Sequence, residues 1–212
     1  MGMINGIDIS KWNGDIDFKQ VRGAGYDFAI IKAGGSDSGF YTDPKFNSNY
    51  SKALAAGLHV GAYYFTGPNF YGVKSGIADA MRFISMLDRK KFDYPVFVDI
   101  ETTKPSRMEE ATKAATSFCQ TLEDAGYFVG IYASAISGFR ERLNHEKLKR
   151  YCHWVAHYNV LYPADNDWQI WQKTSRGSVA GINGHVDIDV ARYDFSSIIK
   201  SKGLNGYKKG EL

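Results

Sequence analysis

Two carboxylates separated by one residue, Asp99 and Glu101, stand at the end of a short apolar run that begins at Val96. In an extended strand alternate residues face the same side, so both carboxyl groups should project together beyond the end of a strand. Two like charges held this close raise the pKa of at least one of them. A protonated carboxyl beside an ionised one is what cleavage of a glycosidic bond requires, so the pair predicts acid chemistry on a sugar.

Acidic residues interrupt apolar strands at both ends of the chain as well. Asp8 lies between Ile7 and Ile9, and Asp187 and Asp189 alternate with apolar residues between positions 186 and 190. In a parallel barrel the carboxyl ends of all strands meet at one face, and the first and last strands are neighbours. We therefore expect these acids to converge with Asp99 and Glu101.

The elements that must position these acids follow a repeated helix-to-strand pattern. Helical runs end in Ala-Gly at positions 24–25, 56–57 and 125–126, and an apolar strand follows each of them. This pattern predicts parallel strands covered by helices. Helices are predicted near 17–24, 44–56, 73–89 and 107–124, and strands near 4–9, 27–33, 58–65, 95–100, 127–132, 152–157, 168–172 and 186–190. The helical period fades after Tyr151, so the predicted fold is α/β, an irregular parallel β/α barrel that is TIM-barrel-like, with helices reduced in its second half.

Length and composition bound the domain organisation and the partners. The 212 residues predict one catalytic domain over 1–200, and the polar segment 201–212 predicts a flexible tail or linker stub. No stretch reaches the roughly 20 apolar residues of a membrane span. The net charge of +3 comes from scattered basic residues, which argues against a nucleic-acid partner. Cys119 and Cys152 are predicted to be buried free thiols.

No motif indicates a cofactor. The chain has no glycine-rich phosphate loop and no Cys or His pair at zinc spacing, so we expect neither a cofactor nor a metal. Two alternatives remain open from the residues alone. A carboxylate cluster at a barrel mouth also suits a metal-dependent phosphodiester hydrolase. A catalytically inactive glycan-binding module would present the same groove without turnover.

Eight motifs, in order along residues 4–195, give the chain a family resemblance. It resembles the glycoside hydrolase family 25 lysozymes at Gly6-Ile7-Asp8-Ile9-Ser10, Trp12, Ala33 to Gly35, Gly61-Ala62-Tyr63-Tyr64-Phe65, Val98-Asp99-Ile100-Glu101, Trp154-Val155-Ala156-His157-Tyr158, Trp171-Gln172 and Val186-Asp187-Ile188-Asp189. The resemblance implies an irregular β/α barrel. It also implies an N-acetylmuramidase that hydrolyses the β-1,4 bond between N-acetylmuramic acid and N-acetylglucosamine in peptidoglycan.

The resemblance also assigns roles to the acids. Glu101 is expected to be the general acid and Asp99 its partner carboxylate, while Asp8 and Asp187 complete the acidic cluster. Asp189 fits the family's pattern less well, and we interpret it as structural. The partner carboxylate could activate water, with inversion, or assist attack by the substrate's own 2-acetamido group, with retention; we favour the assisted route. The residues expected to bind substrate are Tyr63, Phe65, Tyr132, Trp154, Tyr158, Trp171 and Lys32. For each aromatic residue a core role remains the alternative, and Tyr64 is assigned to packing because it alternates out of phase.

The expected biological setting follows from the same resemblance. The partner is bacterial cell-wall peptidoglycan, and the N-terminal residues lack the pattern of a secretory signal. This suits an enzyme resembling a phage endolysin, which is made in the cytoplasm of a bacterial host and acts at the cell wall. Because many such enzymes carry a C-terminal wall-binding module, such a module is a possible missing partner.

Overall fold

The computed structural model describes residues 2–158 and 168–211, and within these ranges nine strands form one sheet. The strands are β1 Ile4–Ile9, β2 Phe28–Gly35, β3 Tyr41–Thr42, β4 His59–Phe65, β5 Val96–Asp99, β6 Val129–Ser134, β7 Cys152–Ala156, β8 Ile170–Gly177 and β9 Val186–Ala191. The helices are α1 Phe18–Gly23, α2 Phe46–Ala55, α3 Gly72–Leu87, α4 Met108–Asp124, α5 His145–Leu148 and α6 Phe195–Lys202. Three shorter helical turns are Lys11–Asn13, Pro105–Arg107 and Ala135–Arg140.

Eight of these strands close into a barrel, and β3 pairs only with β2. The strands β1, β2, β4, β5, β6, β7 and β8 run parallel in that order. The predicted β/α barrel with few helices in its second half is therefore confirmed. The prediction that the barrel is wholly parallel is wrong for β9, which runs antiparallel to both β8 and β1. The connection over 178–185 is too short for the crossover of about a dozen residues that a parallel strand needs.

The reversed direction of β9 keeps the expected convergence of acids. Its amino-terminal half lies at the face where the parallel strands end, and we call this face the mouth of the barrel. Asp8 of β1 lies directly opposite Asp187 of β9 in the strand register. The first and last strands therefore bring two acids from the two ends of the chain to the mouth.

Strict alternation along the strands separates two cores. Outward residues such as Ile7, Val98 and Ile131 pack under the helices, and inward residues fill the barrel with a layer of aromatic rings. Glycine makes room for one of these rings, because a Cβ on Gly130 would lie 2.4 Å from the Phe97 ring. The aromatic layer occupies the interior below the mouth and supports the acids above it.

Two predictions about buried side chains are confirmed by this packing. Cys119 and Cys152 are free and buried, and they belong to the outer and inner cores respectively. Tyr64 is fully buried and packs against Phe83 and Phe118, as its phase along β4 predicts. In the part of the chain that the structure describes, no helix is both long and apolar enough to cross a membrane.

The segment after α6 packs against the barrel, so the prediction of a loose tail from residue 201 is wrong for the residues around Asn205. Asn205 is completely buried in a left-handed conformation with φ of 54°. Its Oδ1 accepts a hydrogen bond from Phe128 N at 2.7 Å, and its Nδ2 donates to Tyr94 O at 2.9 Å. The low apolar content of the segment concealed this contact, because a polar side chain makes it.

Replacing Asn205 by alanine is expected to lower the free energy of unfolding by about 2 to 4 kcal/mol, because two buried backbone groups would lose their partners. Urea unfolding of the purified protein measures the change. Asn205→Gly separates the two contributions, since glycine tolerates the left-handed backbone but also lacks the amide. An unfolding midpoint equal to that of the wild type in Asn205→Ala would contradict the structural role.

Candidate active site

Asp99 and Glu101 lie together at the mouth, as their spacing predicts. Asp99 ends β5 opposite Phe65 and Tyr132, and only 3% of it is exposed. Its carbonyl oxygen accepts from Thr66 N at 3.0 Å and Thr66 Oγ1 at 2.8 Å, which fixes the backbone at this point. The ladder continues one residue further through Ile100 N and Tyr132 O at 3.0 Å. Glu101 therefore follows on the same side as Asp99 but is exposed to solvent.

The two carboxyls perturb each other's ionisation. Burial raises the pKa of Asp99 well above its usual range, and the negative charge of Glu101 raises it further. The pKa of Glu101 is also raised, because the protein packed around its carboxyl excludes water even though the residue reaches the surface. A hydrogen bond with Asp99 and the charges of Lys32 and Arg142 partly offset this rise in the pKa of Glu101. The pair therefore favours holding one proton between two carboxyls, which is the state that acid catalysis requires.

Three more acids face the mouth from β1 and β9. Asp8 is buried, and its pKa is raised well above the usual range by burial and then by the charges of Asp189 and Asp187. Burial raises the pKa of Asp187 to about 6 and that of Asp189 to about 8. Asp189 is completely buried and accepts a hydrogen bond from Trp154 Nε1 at 2.8 Å. That contact is consistent with the predicted structural role of Asp189. We refer to Asp8, Asp99, Glu101, Asp187 and Asp189 as the acidic cluster.

The predicted groove residues divide between the mouth and the layer below it. Tyr158 is 39% exposed, and Phe65 is half-buried opposite Asp99. Tyr63 and Tyr132 face the barrel interior and are mostly buried, with 8% and 7% of each exposed. Both have a pKa raised by burial and by nearby carboxylates of the acidic cluster. These four residues lie beside the acids, so their predicted role in substrate binding remains open to test.

Two tryptophans lie away from any groove surface, and the prediction that they line it is wrong. Trp154 is 1% exposed and lies under Tyr63 and Tyr132, with ring centroids 5.8 and 4.4 Å away. Trp171 faces outward from β8 into the core under the helices, where its Nε1 donates to His157 O at 2.8 Å. Strand alternation explains both positions, because Trp154 points into the filled interior and Trp171 points away from it.

Lys32 lies at the mouth on β2, as predicted. Its Nζ is 4.2 Å from the centroid of the Phe65 ring. Its positive charge lowers the pKa of Asp99 and of Glu101, which opposes the rise caused by burial. Lys32 therefore favours the ionised form of each carboxyl.

Sequence reasoning placed the Trp171-Gln172 motif at one edge of the groove but missed the contact of Gln172 with the acids. Gln172 faces inward from β8 and is 3% exposed. Its Nε2 donates to Asp8 Oδ2 at 2.7 Å. The signal that could have identified it is alternation, because Ile170 faces the barrel interior and Gln172 shares its phase. Over residues 2–158 and 168–211, no group of three or more His, Cys, Asp or Glu side chains is arranged to hold a metal ion.

Comparisons with known proteins agree with this geometry. A family model described as Glycosyl hydrolases family 25 matches residues 7–182. Uncharacterized protein YegX of Escherichia coli K12 is 32% identical over 196 residues, which cover 88% of this chain and 69% of YegX. Lysozyme M1 of Streptomyces globisporus is 30% identical over 203 residues, which cover 87% of this chain and 66% of that protein. The crystal structure of the CTP1L endolysin matches with a TM-score of 0.80 at 28% identity, covering 94% of this chain and 70% of that one. The chain therefore belongs to glycosyl hydrolases family 25 and is a glycoside hydrolase.

Proposed function

We propose that the chain is a peptidoglycan hydrolase, an N-acetylmuramidase that cleaves the β-1,4 bond between N-acetylmuramic acid and N-acetylglucosamine in the bacterial cell wall. The observation that carries this proposal is the solvent-exposed Glu101 beside the buried Asp99, with a raised pKa for each carboxyl. Similarity to Lysozyme M1 supports the same substrate class. The two alternatives, a metal-dependent phosphodiester hydrolase and an inactive glycan-binding module, are not favoured by the family membership.

Glu101 is proposed as the general acid because it is the more exposed member of the pair. Its proton passes to the glycosidic oxygen while the bond from that oxygen to C1 of the muramic acid breaks. In the assisted route the carbonyl oxygen of the 2-acetamido group then bonds to C1. A water molecule displaces that oxygen and gives its proton to the Glu101 carboxylate, so the enzyme returns to its starting state and the anomeric configuration is retained.

Asp99 is proposed to hold the 2-acetamido group during this attack. Its buried Oδ1 has no hydrogen-bond partner among the described residues. An unpaired buried carboxylate oxygen is costly unless a ligand supplies a donor, and the acetamido N–H is such a donor. Asp8 and Asp187 are proposed to contribute negative charge on the opposite wall of the mouth, where positive charge develops on the sugar.

Analysis of the fragments released from purified peptidoglycan tests the proposal. After borohydride reduction and mass spectrometry, we expect the reduced ends to be on muramic acid. Reduced glucosamine would instead indicate a glucosaminidase, and new amino termini would indicate an amidase or peptidase; either result would overturn the proposed bond. A first-formed product of β configuration, observed by proton NMR, is expected from the assisted route.

The cell wall is the proposed place of action, and the curated relatives suggest a further proposal about it. YegX and Lysozyme M1 both extend beyond the part that this chain matches. We propose that the catalytic domain acts at the cell wall together with a separate wall-binding module. The net charge of +3 supplies only mild attraction to an anionic wall polymer, and salt would weaken it.

A further inference from the structure

Gln172 joins three side chains that come from three other parts of the barrel. Its Oε1 accepts a hydrogen bond from Tyr132 Oη at 2.8 Å and from Tyr158 Oη at 2.6 Å. Its Nε2 donates to Asp8 Oδ2 at 2.7 Å. Tyr132 belongs to β6, Tyr158 follows β7, and Asp8 belongs to β1. One buried amide therefore connects both tyrosines to the acidic cluster.

The chemistry of the partners fixes the orientation of this amide. An ionised carboxylate can only accept a hydrogen bond, so Asp8 in its ionised form requires the Nε2 end of Gln172. The Oε1 end then faces the two tyrosines and takes their hydroxyl protons. A tyrosine that has donated its proton retains only lone pairs for any further partner. Both hydroxyl oxygens are thereby left with lone pairs only, and the Ser175 side chain already hydrogen-bonds that of Tyr158.

We propose that Gln172 is a positioning residue of the glycan site, which holds Asp8 in place and makes Tyr158 a hydrogen-bond acceptor for an N–H or O–H group of the bound sugar. Tyr158 is the member that contacts substrate, because it is 39% exposed whereas Tyr132 is 7% exposed. Tyr132 donates a second hydrogen bond to the Gln172 Oε1 and keeps the amide from rotating. This inference rests on the proposed function for the identity of the substrate, but not for the contacts themselves.

The first test combines Gln172→Leu with Tyr158→Phe. Loss of the amide is expected to lower kcat/KM on peptidoglycan by on the order of tenfold to a hundredfold, because the acid and the tyrosines lose their common partner. Tyr158→Phe should cost a smaller factor when Gln172 is already leucine than it does in the wild type, since the hydroxyl is then no longer oriented. Equal factors in the two backgrounds, or a wild-type rate for Gln172→Leu, would overturn the proposal.

Gln169 offers a matched control next to the same strand. Its Oε1 accepts a hydrogen bond from His153 N at 2.6 Å, so Gln169→Leu also removes a side-chain amide that has a hydrogen-bond partner. No hydrogen bond joins its side chain to the acidic cluster among the described residues. Gln169→Leu is expected to lower stability, measured by urea unfolding, and to leave kcat/KM per folded molecule within about twofold of the wild type. A loss as large as that of Gln172→Leu would reduce Gln172 to a structural role.

Gln172→Glu gives a second test that does not depend on tolerance of leucine. The new carboxylate keeps an oxygen for the tyrosines but replaces the donor to Asp8 with a negative charge. Asp8 already faces Asp187 and Asp189 from β9 and Asp99 from β5. One more acid makes Asp8 harder to ionise, so the acidic limb of the pH profile of kcat/KM should move to higher pH. An unmoved limb, or an equal shift in Gln169→Glu, would overturn the proposal.

The two proposals can fail separately. The bond that is cleaved is identified by the reduced ends of the fragments, whereas the role of Gln172 is measured as a ratio of rates on that same bond. Reduced glucosamine ends from the wild type would overturn muramidase activity and leave the Gln172 comparison valid. Muramic acid ends with no effect at Gln172 would do the reverse.

Discussion

Glu101→Gln is expected to reduce the rate of bacterial wall lysis by about 10²- to 10⁴-fold, because glutamine cannot give a proton to the leaving oxygen. The protein should stay folded, since Glu101 is exposed and the amide is nearly the same size. Loss of turbidity of a wall suspension measures the rate, and urea unfolding checks the fold. Binding to intact walls should persist, because the rest of the mouth is unchanged.

Glu141→Gln is a suitable control, as Glu141 is another exposed glutamate that lies outside the acidic cluster. It should lyse walls at the wild-type rate. If Glu101→Gln also lysed walls at close to that rate, the assignment of the general acid would be wrong. If Glu101→Gln were both inactive and unfolded, Glu101→Asp would test the catalytic role instead. Aspartate keeps the carboxylic acid but has a shorter side chain.

Asp99→Asn is expected to remove most of the activity and to change how the remainder depends on pH. In the wild type one carboxyl of the pair is already ionised when the other loses the last proton. The negative charge of the first raises the pKa of that last step. Asparagine removes that charge, so Glu101 should lose its proton at lower pH. The alkaline limb of the residual activity should therefore move toward acid, which a pH series of wall lysis at constant ionic strength can measure.

Asp79→Asn controls for placing an asparagine at a buried aspartate. Asp79 of α3 is 4% exposed and accepts a hydrogen bond from Ser36 Oγ at 2.9 Å, which an asparagine oxygen can also accept. It should keep most of its activity and an unmoved alkaline limb. Among the acids of the cluster, Asp8→Asn should lose less activity than Asp99→Asn. Asp189→Asn as the most damaged variant would contradict the proposed division of roles.

Much of the site could be predicted because period-two alternation and strand ends carry strong signals. The apolar run before Asp99 identified β5, and the spacing to Glu101 placed both acids on one side. The motifs in β1 and β9 predicted Asp8 and Asp187 as site residues. These two acids come together in any closed barrel in which the first and last strands pair. These inferences depended on local pattern and on the geometry of a barrel, which leave few arrangements open.

Other features depended on contacts that local pattern does not encode. An inward tryptophan can line an open mouth or lie in a filled interior, and the rings above Trp154 decide which. The position of Trp171 depends on which residues of β8 face inward. Its neighbour Gln172, and not Trp171, is the residue that faces the acids. Asn205 is polar in a polar segment, so its burial follows only from backbone groups far away in the chain.

The pairing of β1 with β9 has a consequence for the time at which the enzyme becomes active. Asp8 is made long before Asp187, yet the two face each other across one strand pair. Contacts between such distant parts of a chain form late in folding, and ribosomes extend a chain by only about 5 to 20 residues per second. A nascent or truncated chain that lacks β9 has an open sheet and an incomplete set of acids. The acidic cluster is therefore complete only after β9 has been made and has paired with β1.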